Sequence, residues 1–72
     1  MFTYWIRFLY GDGSIAPGWR VEIWSSVGRS DGGVTDRNGW VELQSLYDSV
    51  TVYAGGNRIG TMDAGEATFH VS

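Results

Sequence analysis

Val34-Thr35-Asp36-Arg37-Asn38-Gly39-Trp40-Val41-Glu42-Leu43-Gln44 contains a turn and the strand that leaves it. Asp36-Arg37-Asn38-Gly39 is a strong turn signal, because Asn and Gly accept the positive φ that a tight hairpin requires. From Trp40 to Gln44 the residues alternate, which sends Val41 and Leu43 inward and Trp40 and Glu42 outward. A short strand with one buried face, entered through a tight turn, is the unit of a β-sheet protein.

The same pattern extends in both directions. Phe2 to Tyr10 reads as a strand closed by Gly11-Asp12-Gly13-Ser14, with Tyr4, Ile6, Phe8 and Tyr10 inward and Trp5, Arg7 and Leu9 outward. Pro17-Gly18 turns into a second strand, Trp19 to Trp24. There Trp19, Val21 and Ile23 share the inner face, and the charges of Arg20 and Glu22 mark the outer face, with Trp24 beside them. Ser25 to Gly33 reads as a polar, glycine-bearing loop running into a short third strand near Val34. After the fourth strand, Val50 to Ala54 is the fifth, with Val50 and Val52 inward and Thr51 and Tyr53 outward. Gly55-Gly56 is a turn, and Arg58 to Met62 with Ala67 to Val71 reads as a last hairpin around Asp63-Ala64-Gly65-Glu66. No window sustains a 3.6-residue apolar period, so no helix is expected. The expectation is all-β: about seven short strands in a two-sheet immunoglobulin- or transthyretin-like sandwich, residues 1–72 forming one domain.

Composition bounds the function. A chain of 72 residues is too short for a second core, and 43% apolar with 18% charged residues marks a folded chain. Without cysteine no disulfide reinforces so small a core, and one histidine removes almost every zinc or iron–sulfur option. A formal charge of −3, with no lysine and five scattered arginines, disfavours nucleic acid. No apolar run reaches the ~20 residues of a membrane span. Met1 leading straight into a strand fits either a small protein kept inside the cell or a domain cut from a longer one.

One resemblance runs along nearly the whole chain. Asp12-Gly13-Ser14, Ala16-Pro17-Gly18, Val21 and Ile23, then Val34-Thr35-Asp36-Arg37-Asn38-Gly39-Trp40-Val41 and Val50-Thr51-Val52, resemble the carboxypeptidase regulatory-like domains of the transthyretin-like superfamily. Those domains carry a Thr-Asp-x-x-Gly turn before an alternating strand. The sequence departs from them at Leu46-Tyr47-Asp48-Ser49, which lacks a glycine usual before the fifth strand, and in the polar Ser25–Gly33 segment. The resemblance implies an accessory β-sandwich that binds or supports, with no particular ligand. Related Cna-B-type domains form a lysine-dependent internal isopeptide bond, which a chain without lysine cannot make.

No constellation in the sequence demands catalysis. Gly28-Arg29-Ser30-Asp31-Gly32 matches G-x-S-x-G, but a nucleophile elbow needs a strand, a sharp turn and a helix, and His70 is its only possible base. Glu22 and Glu42 could form a glycosidase pair if a cleft raised one pKa; as outward residues they read as solvated carboxylates, paired with Arg7 or Arg20. Asp31, Asp36 and Asn38 lack EF-hand spacing and read as turn residues bonding their own backbone. No cofactor or metal is expected.

The aromatic residues carry the functional expectation. They form 15% of the chain, and alternation places Trp5, Trp24, Trp40 and Tyr53 outward. In an immunoglobulin-like arrangement the first, second and fifth strands share a sheet, which would join Trp5, Trp24 and Tyr53 in one patch. Contiguous apolar patches mark interfaces or ligand sites. The leading expectation is a non-enzymatic module that self-associates as a two-fold dimer or docks on another protein, with these rings as anchors and Arg7, Arg20 and Glu22 at the rim. The alternatives are a carbohydrate-binding module, with Arg7, Glu22 and Glu42 bonding hydroxyls, and a small SH3- or OB-type barrel gripping a peptide or single strand.

Overall fold

Each strand's alternation, once its inner face meets another sheet, yields a sandwich. A computed structural model describes residues 1–71. It contains β1 (Phe2–Tyr10), β2 (Arg20–Ser25), β3 (Gly28–Val34), β4 (Trp40–Ser45), β5 (Ser49–Ala54), β6 (Asn57–Asp63) and β7 (Gly65–Val71), with no helix among the described residues. The strands form a three-stranded sheet in the order β4-β1-β7 and a four-stranded sheet in the order β3-β2-β5-β6. All neighbours are antiparallel except β1 and β7, which run parallel.

Two local devices set the hairpins. Gly55 and Gly56 have φ of 59° and 85°, and a two-residue loop with positive φ at both positions matches the right-handed twist of its strands. At the other hairpin, Ser25 pairs with Gly28 around Ser26-Val27, and a bulge between Ile23 and Trp24 shifts the register.

Four expectations are corrected here. β1 lies in the opposite sheet from β2 and β5, because the chain crosses between sheets after Tyr10. The Ser25–Gly33 segment is largely strand, since its glycines leave the backbone free to pair with β2 even though side chains supply little burial. Asp63-Ala64-Gly65-Glu66 is a corner, not a hairpin: β6 pairs with β5 and β7 with β1, with Ala64 alone between them. Asp36 to Gly39 is a tight turn, but it joins β3 and β4 across sheets. The two separate sheets accord with the expected sandwich.

The turn at Asp36 is held from within. Asp36 Oδ1 accepts the N–H groups of Asn38 at 2.8 Å and Trp40 at 3.0 Å, and Asp36 O accepts that of Gly39 at 2.9 Å. Thr35, just before it, is buried and anchors the crossing. Its Oγ1 accepts the Trp19 N–H at 2.9 Å and its hydroxyl donates to Ala16 O at 2.8 Å.

Between the sheets lie Tyr4, Ile6, Phe8, Val21, Ile23, Val41, Leu43, Val50 and Val52, all buried and all expected inward. Trp19 and Tyr10 pack against this core half-buried. Their rings meet edge-on at 6.3 Å, and Trp19 Nε1 donates to the Tyr10 hydroxyl at 3.2 Å. Ala16, Ala54, Met62 and Val71 complete the layer, and Phe69 stacks on Phe8 at 6.0 Å.

Candidate functional site

Placing β1 in the sheet opposite β2 and β5 divides the expected aromatic patch. Trp5, Arg7 and Trp40 lie on the outer face of the three-stranded sheet. Trp24, Tyr53, Glu22 and Arg20 lie on the outer face of the four-stranded sheet, on the far side of the molecule. No surface therefore joins Trp5 to Trp24 and Tyr53, and a dimer through those three rings has no geometric basis.

On the four-stranded sheet the groups satisfy one another. Trp24 meets Tyr53 edge-on at 6.0 Å and donates its indole N–H to Glu22 Oε1 at 3.3 Å. Glu22 Oε2 accepts from Arg29 Nε at 3.3 Å, so its ion pair is with Arg29 and not with Arg7 or Arg20. Arg20, opposite Val34, is exposed. These contacts give the Trp24 indole N–H and the Glu22 carboxylate partners, with Trp24 still 38% exposed.

The three-stranded sheet is less closed. β1 is its middle strand, so Trp5 stands between Glu42 of β4 and Glu66 of β7, and Arg7 between Trp40 and Thr68. Trp5 is 45% exposed. Arg7 lays its guanidinium over Trp40, Cζ 5.4 Å from the ring centroid, a cation–π contact that leaves Arg7 Nε buried without a hydrogen-bond partner among the described residues. No indole hydrogen bond from Trp5 or Trp40 forms among the described residues, in contrast to Trp24. Trp5 and Arg7 along β1, with Trp40 across from Arg7, thus share one face with Glu42 and Glu66 on either side of Trp5.

A third surface escaped sequence reasoning. At one end of the sandwich, where β3 and β4 approach, a groove of about 430 Å³ is lined by Met1, Val27, Ser30, Ser45, Leu46 and Tyr47 among others. Apolar residues in segments read as loops (Val27 between Ser26 and Gly28, and Leu46-Tyr47) were the signal that could have found it. Its polar groups are largely spent on the fold. Ser45 Oγ donates to Ser30 Oγ at 3.1 Å and accepts the Tyr47 N–H at 3.1 Å; Asp31 accepts the Gln44 N–H at 2.9 Å. The Tyr4 hydroxyl donates to the Tyr47 carbonyl, and burial pushes the Tyr4 phenol pKa up, with Asp48 and Asp63 adding to the rise.

The remaining chemical constellations are dispersed. Ser30 lies on β3 beside Ser45, whose β1 partner is Phe2, whereas His70 pairs with Leu9 at the other end of β1. Seven residues of strand separate those positions, roughly 23 Å at the usual rise. Glu22 and Glu42 point away from each other on opposite sheets, so they form neither an acid–base pair nor one sugar site. Asp36 and Asn38 serve the turn, Asp31 the sheet edges, and no group of three potential metal ligands occurs among the described residues.

Fold and surfaces together define a small all-β sandwich with exposed tryptophans on both sheet faces and Tyr47 in the end groove. Comparison with protein families, with curated proteins and with solved structures found no match.

Proposed function

We propose that this chain is a non-enzymatic interaction module that docks on another protein through the outer face of its three-stranded sheet. Trp5 carries the reading: a large ring, nearly half-exposed, at the centre of a sheet, beside Trp40 braced by Arg7. Tryptophan and arginine dominate binding energy at protein interfaces, because a rigid ring buries much area at little entropic cost. The two-sheet sandwich and the Thr35-Asp36…Gly39-Trp40 turn support placing the chain with the carboxypeptidase regulatory-like domains. Carbohydrate binding is the second reading, since an open indole bordered by Glu42 and Glu66 suits a sugar ring and its hydroxyls.

The test is selection of peptides from a random display library on the folded chain, with soluble glycans screened in parallel. Protein docking predicts peptides that lose binding to Trp5→Ala but keep it with Trp24→Ala. Peptides that instead need Val27 or Tyr47 would place the interface at the end groove. Glycans that bind in a Trp5-dependent manner, where peptides do not, would establish the second reading.

A further inference from the structure

Resting on that reading of the face, we infer that Trp5, Glu42 and Glu66 together receive a cationic side chain, an arginine or lysine borne by a segment of the partner protein. The register puts Glu42 directly opposite Trp5 on one side and Glu66 on the other. Across the antiparallel pair the Cβ atoms of Trp5 and Glu42 stand about 4.5–5.5 Å apart, and Glu66 is one strand spacing, about 4.8 Å, away on the parallel side, so both acidic residues flank Trp5. Neither makes an ion pair among the described residues, where the salt bridge found joins Arg29 to Glu22 on the other face.

The same face already makes such a contact with its own residues. Arg7 turns to the Trp40 ring, not to either glutamate, and its guanidinium carbon stops 5.4 Å from the ring centroid. Trp5 is the neighbouring ring, and no cation stacks on it among the described residues. The negative face of an indole attracts a cation, and a carboxylate on each side adds Coulombic attraction to the same spot.

Charge also selects the occupant. One arginine against two glutamates leaves this face acidic, and the chain as a whole carries −3. Two copies meeting face to face would oppose like charges, whereas a basic segment complements them.

The experiment titrates the isotope-labelled full chain with an acetylated, amidated Gly-Arg-Gly-Arg-Gly peptide, and separately with its citrulline counterpart, which keeps the shape without the charge. The arginine peptide is expected to shift the Trp5 indole resonance and the Glu42 and Glu66 amides. Replacing arginine by citrulline should weaken binding about threefold or more, as should the double variant Glu42→Gln, Glu66→Gln with its fold intact by circular dichroism. Raising ionic strength from about 0.01 M to about 0.15 M, which shortens the screening length from ~30 Å to ~8 Å, should weaken it too. Equal affinity for the two peptides, or no loss in the double variant, overturns the cation and leaves the docking face standing. Shifts confined to Trp24 or to the groove at Tyr47, or no shift at all, overturn the inference; when no peptide or glycan uses Trp5 either, the docking face falls as well. Light scattering completes the test. Self-association that the double variant disperses would overturn a separate partner in favour of Arg20, Arg37 or Arg58 of a second copy.

Discussion

Gly39 has a φ of 83°, and a Cβ added there would lie 2.7 Å from the Phe8 carbonyl oxygen and 3.1 Å from Ile15 Cγ2. Its own carbonyl accepts the Phe8 N–H at 2.8 Å, so the turn cannot move away to make room. Gly39→Val is therefore expected to cost at least ~1–3 kcal/mol, read as a lower denaturant midpoint. Tyr4 gives a pH dependence. Its folded phenol pKa stands above the ordinary 10.0, through burial first and then the charges of Asp48 and Asp63. Above that ordinary value the unfolded chain releases a proton the native chain keeps. Stability from this group is thus full below pH 10 and falls as pH rises towards the folded pKa. Tyr4→Phe should lower stability at neutral pH by about 1 kcal/mol, through loss of the bond to the Tyr47 carbonyl, and should flatten the alkaline decline. Denaturant unfolding of both proteins from pH about 8 to about 11 checks it.

Edge strands β3 and β4 show how neighbouring elements constrain each other. Each ends one side of its sheet, and an unpaired edge invites strand addition from another chain. Asp31 closes this side: its Oδ2 accepts the Gln44 N–H at 2.9 Å, while Oδ1 accepts the Gly32 N–H at 2.8 Å. One carboxylate thus occupies an edge amide of the three-stranded sheet from a strand of the four-stranded one. Asp31→Ala should destabilise by about 1–3 kcal/mol and accelerate hydrogen exchange at Gln44 far more than at Val52 in the centre of the other sheet. Equal protection at Gln44 in both proteins would show that the carboxylate does not hold the edges together. The departure of β6 and β7 from a hairpin has a comparable origin. One linking residue, Ala64, lets each strand pair inside a different sheet, and Phe69 then stacks on Phe8 in the core.

The body these strands build measures 33 × 19 × 16 Å, with one apolar layer and no disulfide. With so small a core and no disulfide, interior truncations weigh heavily. Ile23→Ala, at a fully buried position, should cost roughly 2–5 kcal/mol, a large share of what so small a domain possesses. Thermal and denaturant unfolding read that loss directly. Trp5→Ala, on the outer face where Trp5 is 45% exposed, should cost less than Ile23→Ala but still lower the midpoint, so its docking is read on protein shown to be folded by circular dichroism.

Period-two alternation was enough, from sequence alone, to indicate the all-β class and the inward residues of β1, β2, β4 and β5, and the Asp36-Arg37-Asn38-Gly39 turn chemistry to indicate the positive φ of Gly39. Each follows from a constraint that acts within a few residues: successive side chains point to opposite faces, and a left-handed backbone excludes a Cβ. Which strands share a sheet is a non-local matter, and it was not legible. β1 carries the same alternation whichever sheet it joins, so Trp5 read as a neighbour of Trp24 and Tyr53 until the pairing of β1 with β4 and β7 placed it beside Trp40, Glu42 and Glu66. The glycines of β3 hid a strand whose pairing is made by backbone, and the end groove arises from loops distant in sequence. Alternation decides which way a side chain faces; only the tertiary pairing of strands decides which other side chains it faces with.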